Sequence, residues 1–279
     1  MLLSLCGTLL PGCASWIRSS AFEATSDLLR GLDATIQRQP DIELVRDGVP
    51  TLLLLLDSLT RARPDDVELR RRAALTFSSY AQAFLADTDR ARLLNEQART
   101  HGWELLRLVG FPDPVTSDFD EFLAAVQGSE AIDALYAAGS AWLGWILSDT
   151  ESMEAVADVP RALALLDRVL DIDPDHDSGA VHLVFAVYFA AQPRGAGQDL
   201  ERSREHFRRA IELRGAASLL PRVLRAEFIG KATLDEAFFV DELRAVLDVP
   251  RGSDDRDALT NALARRRARE LLAHKDDFF

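Results

Sequence analysis

Apolar residues recur three and four positions apart along nearly the whole chain, and alternating runs of β-branched and aromatic residues bounded by turn pairs are missing. A spacing of three and four keeps side chains on one stripe of a helix, whereas alternation marks a half-buried strand, so the pattern predicts an all-α fold. Breakers divide it at Gln39-Pro40, Arg63-Pro64, the Gly110 to Pro114 segment, Val159-Pro160, Asp173-Pro174, Gln192 to Gly197 and Val249 to Gly252. Proline lacks an amide donor and pushes the residue before it out of the helical region, and glycine loosens the backbone. The intervening segments run to roughly 12 to 22 residues, ordinary helix lengths.

A finer pattern lies inside several segments: a small or apolar residue, a large one four later, a small one three after that, and a proline five further on. Ala162, Leu166, Val169 and Pro174 follow it, as do Leu52, Leu56, Leu59 and Pro64. Ser203, Phe207 and Ala210 match its first three places, and Ala91, Asn95 and Ala98 match them more loosely. Positions i, i+4 and i+7 share one helix face, where small residues admit a neighbouring helix and the large one fills the groove. A helix-turn-helix unit recurring near 34 residues is of the tetratricopeptide type, whose units stack to bury a shared core. The predicted architecture is therefore about four tetratricopeptide-like hairpins closed by C-terminal capping helices. First helices fall near 20–38, 66–86, 129–148 and 177–191, and the capping helices near 219–230, 233–248 and 255–273. Gly110 to Ser117 joins two halves of what reads as one domain over 20–279.

Composition narrows the function. The 279 residues carry a formal net charge of -13, which argues against nucleic acid as a partner, because that affinity rests on Lys and Arg neutralising phosphates. Cysteine occurs only at Cys6 and Cys13, so the helical body holds no disulfide framework or cysteine metal site. Residues 1–10 are apolar and end in Leu10-Pro11-Gly12-Cys13, which resembles a bacterial lipobox. On this reading residues 1–12 are a lipoprotein signal peptide, Cys13 is the lipid attachment site and 13–19 are the anchored linker, although no Lys or Arg precedes Arg18. About ten apolar residues fall short of the roughly 20 that a membrane-spanning helix needs. Ala14 and Ser15 lack the Asp that retains many lipoproteins at the inner membrane, which favours an outer-membrane anchor in the periplasm.

No constellation supports catalysis, a cofactor or a metal. Asp171, Asp173, Asp175 and Asp177 alternate as in a calcium loop, but His176 and His182 stand where that loop needs Gly and Glu. His101, His176, His182, His206 and His274 are scattered, without HExxH or GxSxG spacing; His182 and His206 fall on paired helices and could meet as a packing pair. Gly195 and Gly197 form a GxG with no strand before it, and Asp199 behind them suits a helix cap. Arg265, Arg266, Arg267 and Arg269 read first as a solvated helix face and second as a docking patch.

Aromatic residues are the remaining candidates for binding. Tyr136, Trp142 and Trp145 lie on one first helix and Phe185, Tyr188 and Phe189 on the next, the elements that line the concave surface of such stacks. Core packing and a joint apolar patch for a ligand or partner are both open to them.

Several segments resemble the T component associated with tripartite ATP-independent periplasmic (TRAP) transporters. DGVPTLLLLLDSLTRARPDD and SSYAQAFL look like its first hairpins, and ALYAAGSAWLGWI looks like its tryptophan-bearing central helix. HLVFAVYFAAQPRGAGQDLERSREHFRRAIEL and the ending ALARRRARELLAHKDDFF are similar to its signature and its tail. The resemblance implies a non-enzymatic periplasmic lipoprotein that forms a homotrimer, docks the transporter's solute-binding protein and accepts a hydrophobic small-molecule ligand in its body. It places Trp142, Trp145, Pro193, Gly195 and Gly197 on family motif positions. The competing reading is a repeat scaffold of envelope assembly unrelated to transport.

Overall fold

The computed structural model describes residues 31–85, 88–149, 152–195, 197–252 and 256–279. Cys13 and residues 1–12, expected as a signal peptide, lie outside these residues, as does most of the first helix expected at 20–38, of which 31–37 are helical. The described residues are helical and carry no strand.

Eleven helices are labelled here in chain order: α1 (Ile42–Ala62), α2 (Val67–Phe84), α3 (Thr88–Leu108), α4 (Phe119–Gly128), α5 (Ile132–Ser148), α6 (Met153–Ile172), α7 (His176–Ala191), α8 (Leu200–Arg214), α9 (Leu220–Arg225), α10 (Glu236–Asp248) and α11 (Ala258–Ala273). Acidic and hydroxyl caps start six of them. Asp41, Asp66, Asp118, Ser152, Asp199 and Asp235 each accept a backbone N–H from the first turn of α1, α2, α4, α6, α8 and α10, satisfying donors that the helix itself cannot. Arg63 and Asp173, each followed by proline, leave the helical region and end α1 and α6.

Successive helices pack in pairs. α2 packs on α3, α3 on α5, α5 on α6, and α7 on α8. Of the repeat positions, Leu52, Leu56, Asn95, Ala98, Ala162, Leu166, Val169, Ser203, Phe207 and Ala210 are buried, as the i, i+4, i+7 spacing requires, while Leu59 and Ala91 are partly buried. Gly102 meets Ala138 where α3 crosses α5; a Cβ there would lie 3.1 Å from the Ala138 Cα.

Three features depart from the expectation. Pro160 does not break the chain: it lies inside α6 on an exposed face, where water can satisfy the Val156 carbonyl that the missing amide releases. The Gly110 to Ser117 junction leads into α4, a ten-residue helix that the pattern did not predict. Only Phe122 and Val126 of α4 are buried, too few to register as a periodic stripe, yet with Leu106 and Phe111 they join the central core across the junction. At the start of α7, Asp177, Ser178 and Gly179 adopt left-handed angles with φ of 45°, 54° and 80°. Glycine is required at the third of these, since a Cβ on Gly179 would sit 2.9 Å from Leu213 Cδ1.

The C-terminal helices do more than cap. α9 continues through a π-helical turn, Ala226–Gly230, to Thr233, and with α10 and α11 it forms a separate core around Phe239 and Leu243. α11 then returns to α1: Leu259 joins the core of α1 and α2, and Arg266 reaches Glu43 at 3.5 Å.

Candidate functional site

Small residues on α5 set the centre of the stack. Gly139 and Gly144 leave room for neighbouring helices, and a Cβ at Gly144 would stand 2.6 Å from Ser78 Oγ, 2.9 Å from Gln82 Nε2 and 3.2 Å from Asn95 Oδ1. This close approach of α2, α3 and α5 draws Trp142 and Trp145 inward, where they are 1% and 6% exposed.

Around them lies a buried cluster of charge and aromatic rings. Arg99 of α3 is sandwiched between two tryptophans, its guanidinium carbon 4.2 Å from the Trp103 ring centroid and 3.4 Å from that of Trp145. The same guanidinium donates to Glu154 at 3.1 Å and lies 3.7 Å from Asp158. Asp158 in turn accepts the indole N–H of Trp142 at 2.8 Å. Burial raises the Asp158 pKa, and the hydrogen bond from Trp142 and the charge of Arg99 only partly oppose that shift. Phe122 and Trp103 meet the edge of Trp142 at 6.0 and 5.4 Å, a favoured geometry for rings with negative faces and positive edges.

One face of α3 has polar atoms left over. Asn95 Oδ1, Arg99 Nε and Trp103 Nε1 are buried without a hydrogen-bond partner. They stand four residues apart in succession, so they form a row on a single face of α3. Buried polar atoms are nearly always satisfied in folded proteins, and a row of three marks this interior as a place where a polar atom of a ligand or water would be stabilised.

The second aromatic group sits on the α7–α8 hairpin. Phe185 and Phe189 stack at 5.9 Å and both pack against His206, while Arg202 covers Phe189 at 4.0 Å. His182 and His206, anticipated as a pair, meet with their Nδ1 atoms 2.9 Å apart, a bond that needs one nitrogen protonated and the other bare. Burial, His182 and Arg202 push the His206 pKa down to about 4.

The six aromatic candidates therefore divide. Trp142, Trp145, Phe185 and Phe189 are buried in one large core, with Tyr136 and Tyr188 partly buried against it. Burial pushes the Tyr136 phenol to about 12. No ring contact joins the three on α5 to the three on α7 among the described residues, and in this conformation neither group presents an open aromatic patch. Arg99, Asp158 and Trp103 were not anticipated. Arg99 and Trp103 are four apart on one helix, which was a visible signal, but Asp158 comes from α6 and only the packing brings it in.

The arginine cluster of α11 also divides. Arg265, expected on a solvated face, is buried and donates to the carbonyls of Val246, Val249 and Pro250 at 2.8 to 3.2 Å, capping the end of α10. Arg266 pairs with Glu43, and Arg267 with Glu227. The Gly195 and Gly197 turn is left-handed at both glycines, with φ of 80° and 116°, and delivers Asp199 as the cap of α8. Among the described residues no three His, Cys, Asp or Glu side chains converge as a metal site, and no helix is long and apolar enough to cross a membrane.

Comparison with known proteins decides the family, since the family model of the TRAP transporter T-component matches residues 38–279. The chain belongs to the TRAP transporter T-component family. The match runs from just before α1 to the C-terminus, so both aromatic groups, the glycine turn and the returning α11 lie within it. The chain is also similar to an uncharacterized protein of Treponema pallidum (strain Nichols), 24% identical over 270 residues that span 86% of this chain and 81% of that protein. Membership makes this T-component an accessory of TRAP transport, a transport family rather than a known enzyme family.

Proposed function

We propose that this T-component is a non-enzymatic periplasmic lipoprotein that docks the solute-binding protein of its transporter and holds a hydrophobic ligand in its helical body. Family membership over residues 38–279 is the observation that carries the reading. An exposed apolar edge supports a docking role: Leu93, Leu147, Met153 and Val156 are 56%, 47%, 84% and 57% exposed. Arg92 approaches Asp149 at 4.0 Å, and Arg99 meets Glu154 at 3.1 Å. These pairs hold α3 against the end of α5 and the first turn of α6, the elements that carry the four side chains. Apolar side chains grouped at a surface are characteristic of partner contacts.

The buried aromatics support a ligand of apolar body, and Asn95, Arg99 and Trp103 offer polar atoms to one end of it. Co-purification with the periplasmic solute-binding protein tests the docking. Wild type is expected to retain the partner and Met153→Glu with Val156→Glu to lose it at least about tenfold, since charges on an apolar contact are left desolvated. Failure of wild type to retain the partner would overturn the proposal. Native mass spectrometry of the purified chain tests both the ligand, as bound mass, and a homotrimer, as the assembly observed. Anchoring at Cys13 is tested by palmitate labelling, which Cys13→Ser should abolish; equal labelling would refute it.

A further inference from the structure

Where α11 returns to α1, a cavity of about 600 Å³ opens between the segment around Arg38 to Ile42 and the segment from Arg251 to Arg269. Its size falls within the roughly 300 to 1,000 Å³ of small-molecule sites. Arginine dominates its polar lining: Arg38, Arg251, Arg265 and Arg269 all border it, and no carboxylate does so among the described residues.

The ion pairing of α11 sharpens the contrast. Arg266 and Arg267, which face away, find Glu43, Glu227 and Glu270. Arg38, Arg251 and Arg269 are exposed and make no ion pair or side-chain hydrogen bond within the described chain. In a protein with 45 acidic and 32 basic side chains, three guanidiniums without a partner among the described residues border one concavity, whose wall focuses their charge. The fourth, Arg265, is committed to the α10 carbonyls and cannot turn away. Burial first, and then the charges of Arg251 and Arg269, depress its pKa, so like charges here are near enough to repel. The other polar liner, Asn261, is committed to the Leu219 N–H and the Ala217 carbonyl, and Pro40, Ile42 and Ala262 supply an apolar stretch.

We propose that this seam binds a small amphiphilic organic anion, its carboxylate or phosphate held by Arg38, Arg251 and Arg269 and its apolar stem laid on Pro40, Ile42 and Ala262. Guanidinium groups suit such oxyanions because their paired N–H donors match two oxygens at once. An occupant would bridge α1 and α11 and so strengthen the closure of the stack. This site lies away from the Trp142 and Trp145 core and from the Met153 edge, and does not depend on either.

Isothermal titration of the purified full chain with octanoate, acetate and octanol at low ionic strength tests the proposal. Octanoate should bind, acetate and octanol should each bind at least about tenfold more weakly, and added salt should weaken octanoate. Arg251→Gln with Arg269→Gln should weaken octanoate by about tenfold, with the thermal midpoint unchanged because neither side chain holds a partner among the described residues. Ala262→Trp, which fills the groove, should abolish binding. Undetectable octanoate binding by wild type, or a change below about twofold in the double arginine variant, would overturn the site. Acetate binding as tightly as octanoate would overturn the apolar half of the claim.

Discussion

The buried guanidinium of Arg99 lies over the indole of Trp145, its carbon 3.4 Å from the ring centroid. A cation held between two tryptophans and beside two carboxylates ties α3, α5 and α6 into one unit, because each of those helices contributes a group that the others leave unsatisfied.

Arg99→Ala should therefore destabilise the protein by about 2 to 4 kcal/mol, since it leaves the partly buried Asp158 without its cation and opens space between two indoles. Urea denaturation followed by tryptophan fluorescence measures it. A double-mutant cycle with Asp158→Asn should show coupling above about 0.5 kcal/mol; strict additivity would show that the pair contributes nothing jointly.

Acid should weaken the fold through histidine. His101 and His206 both fall from the ordinary 6.5 to about 4, burial being the largest cause in each. Arg70 opposes protonation of His101, whereas His182 and Arg202 oppose that of His206 and Glu205 favours it. Each imidazole binds a proton more weakly in the folded chain than in the unfolded one. Their stabilisation is thus complete above pH 6.5 and is lost as pH falls toward about 4. Buried His101 should remove on the order of 3 kcal/mol across that window, and the partly exposed His206 less. His206→Gln should flatten the slope of unfolding free energy against pH, and an unchanged slope would remove His206 from the account.

Gly144→Ala should cost about 1 to 3 kcal/mol by overpacking, because the new methyl would press on Ser78 Oγ, 2.6 Å from the ideal Cβ position. Ser78→Ala should recover part of that loss in the double variant. Thermal melting of the two single variants and the double one checks the claim, and no recovery would place the strain at Gln82 or Asn95 instead.

Asp66 caps α2 by accepting the Leu69 N–H at 3.0 Å. Asp66→Ala should cost about 1 kcal/mol, whereas the same change at the exposed neighbour Asp65 should stay within about 0.5 kcal/mol. Equal effects in chemical denaturation would mean that charge, rather than the cap, is responsible.

Legibility from sequence followed the range of the interaction. The i, i+4, i+7 faces at Leu56, Ala162, Leu166, Phe207 and Ala210 were readable because helix periodicity is local, and these residues are buried as their spacing requires. Pro160 was misread as a break because the cost of an interior proline depends on whether water reaches the freed carbonyl, and that depends on which face of α6 turns outward. α4 was missed because two buried side chains in ten residues carry no period.

The sequence by itself determined an all-helical chain of repeating hairpins, the pairing of His182 with His206 as a possibility, and the resemblance that the match over residues 38–279 makes a family. Tertiary structure alone decided that Trp142 and Trp145 face inward onto Arg99 and Asp158, and that α11 returns to α1 to set Arg251 and Arg269 beside Arg38. Periodicity places a residue on a face of its own helix. Which helix covers that face, and whether a charge finds a partner there, is settled by contacts between residues far apart in the chain, and no local spacing records them.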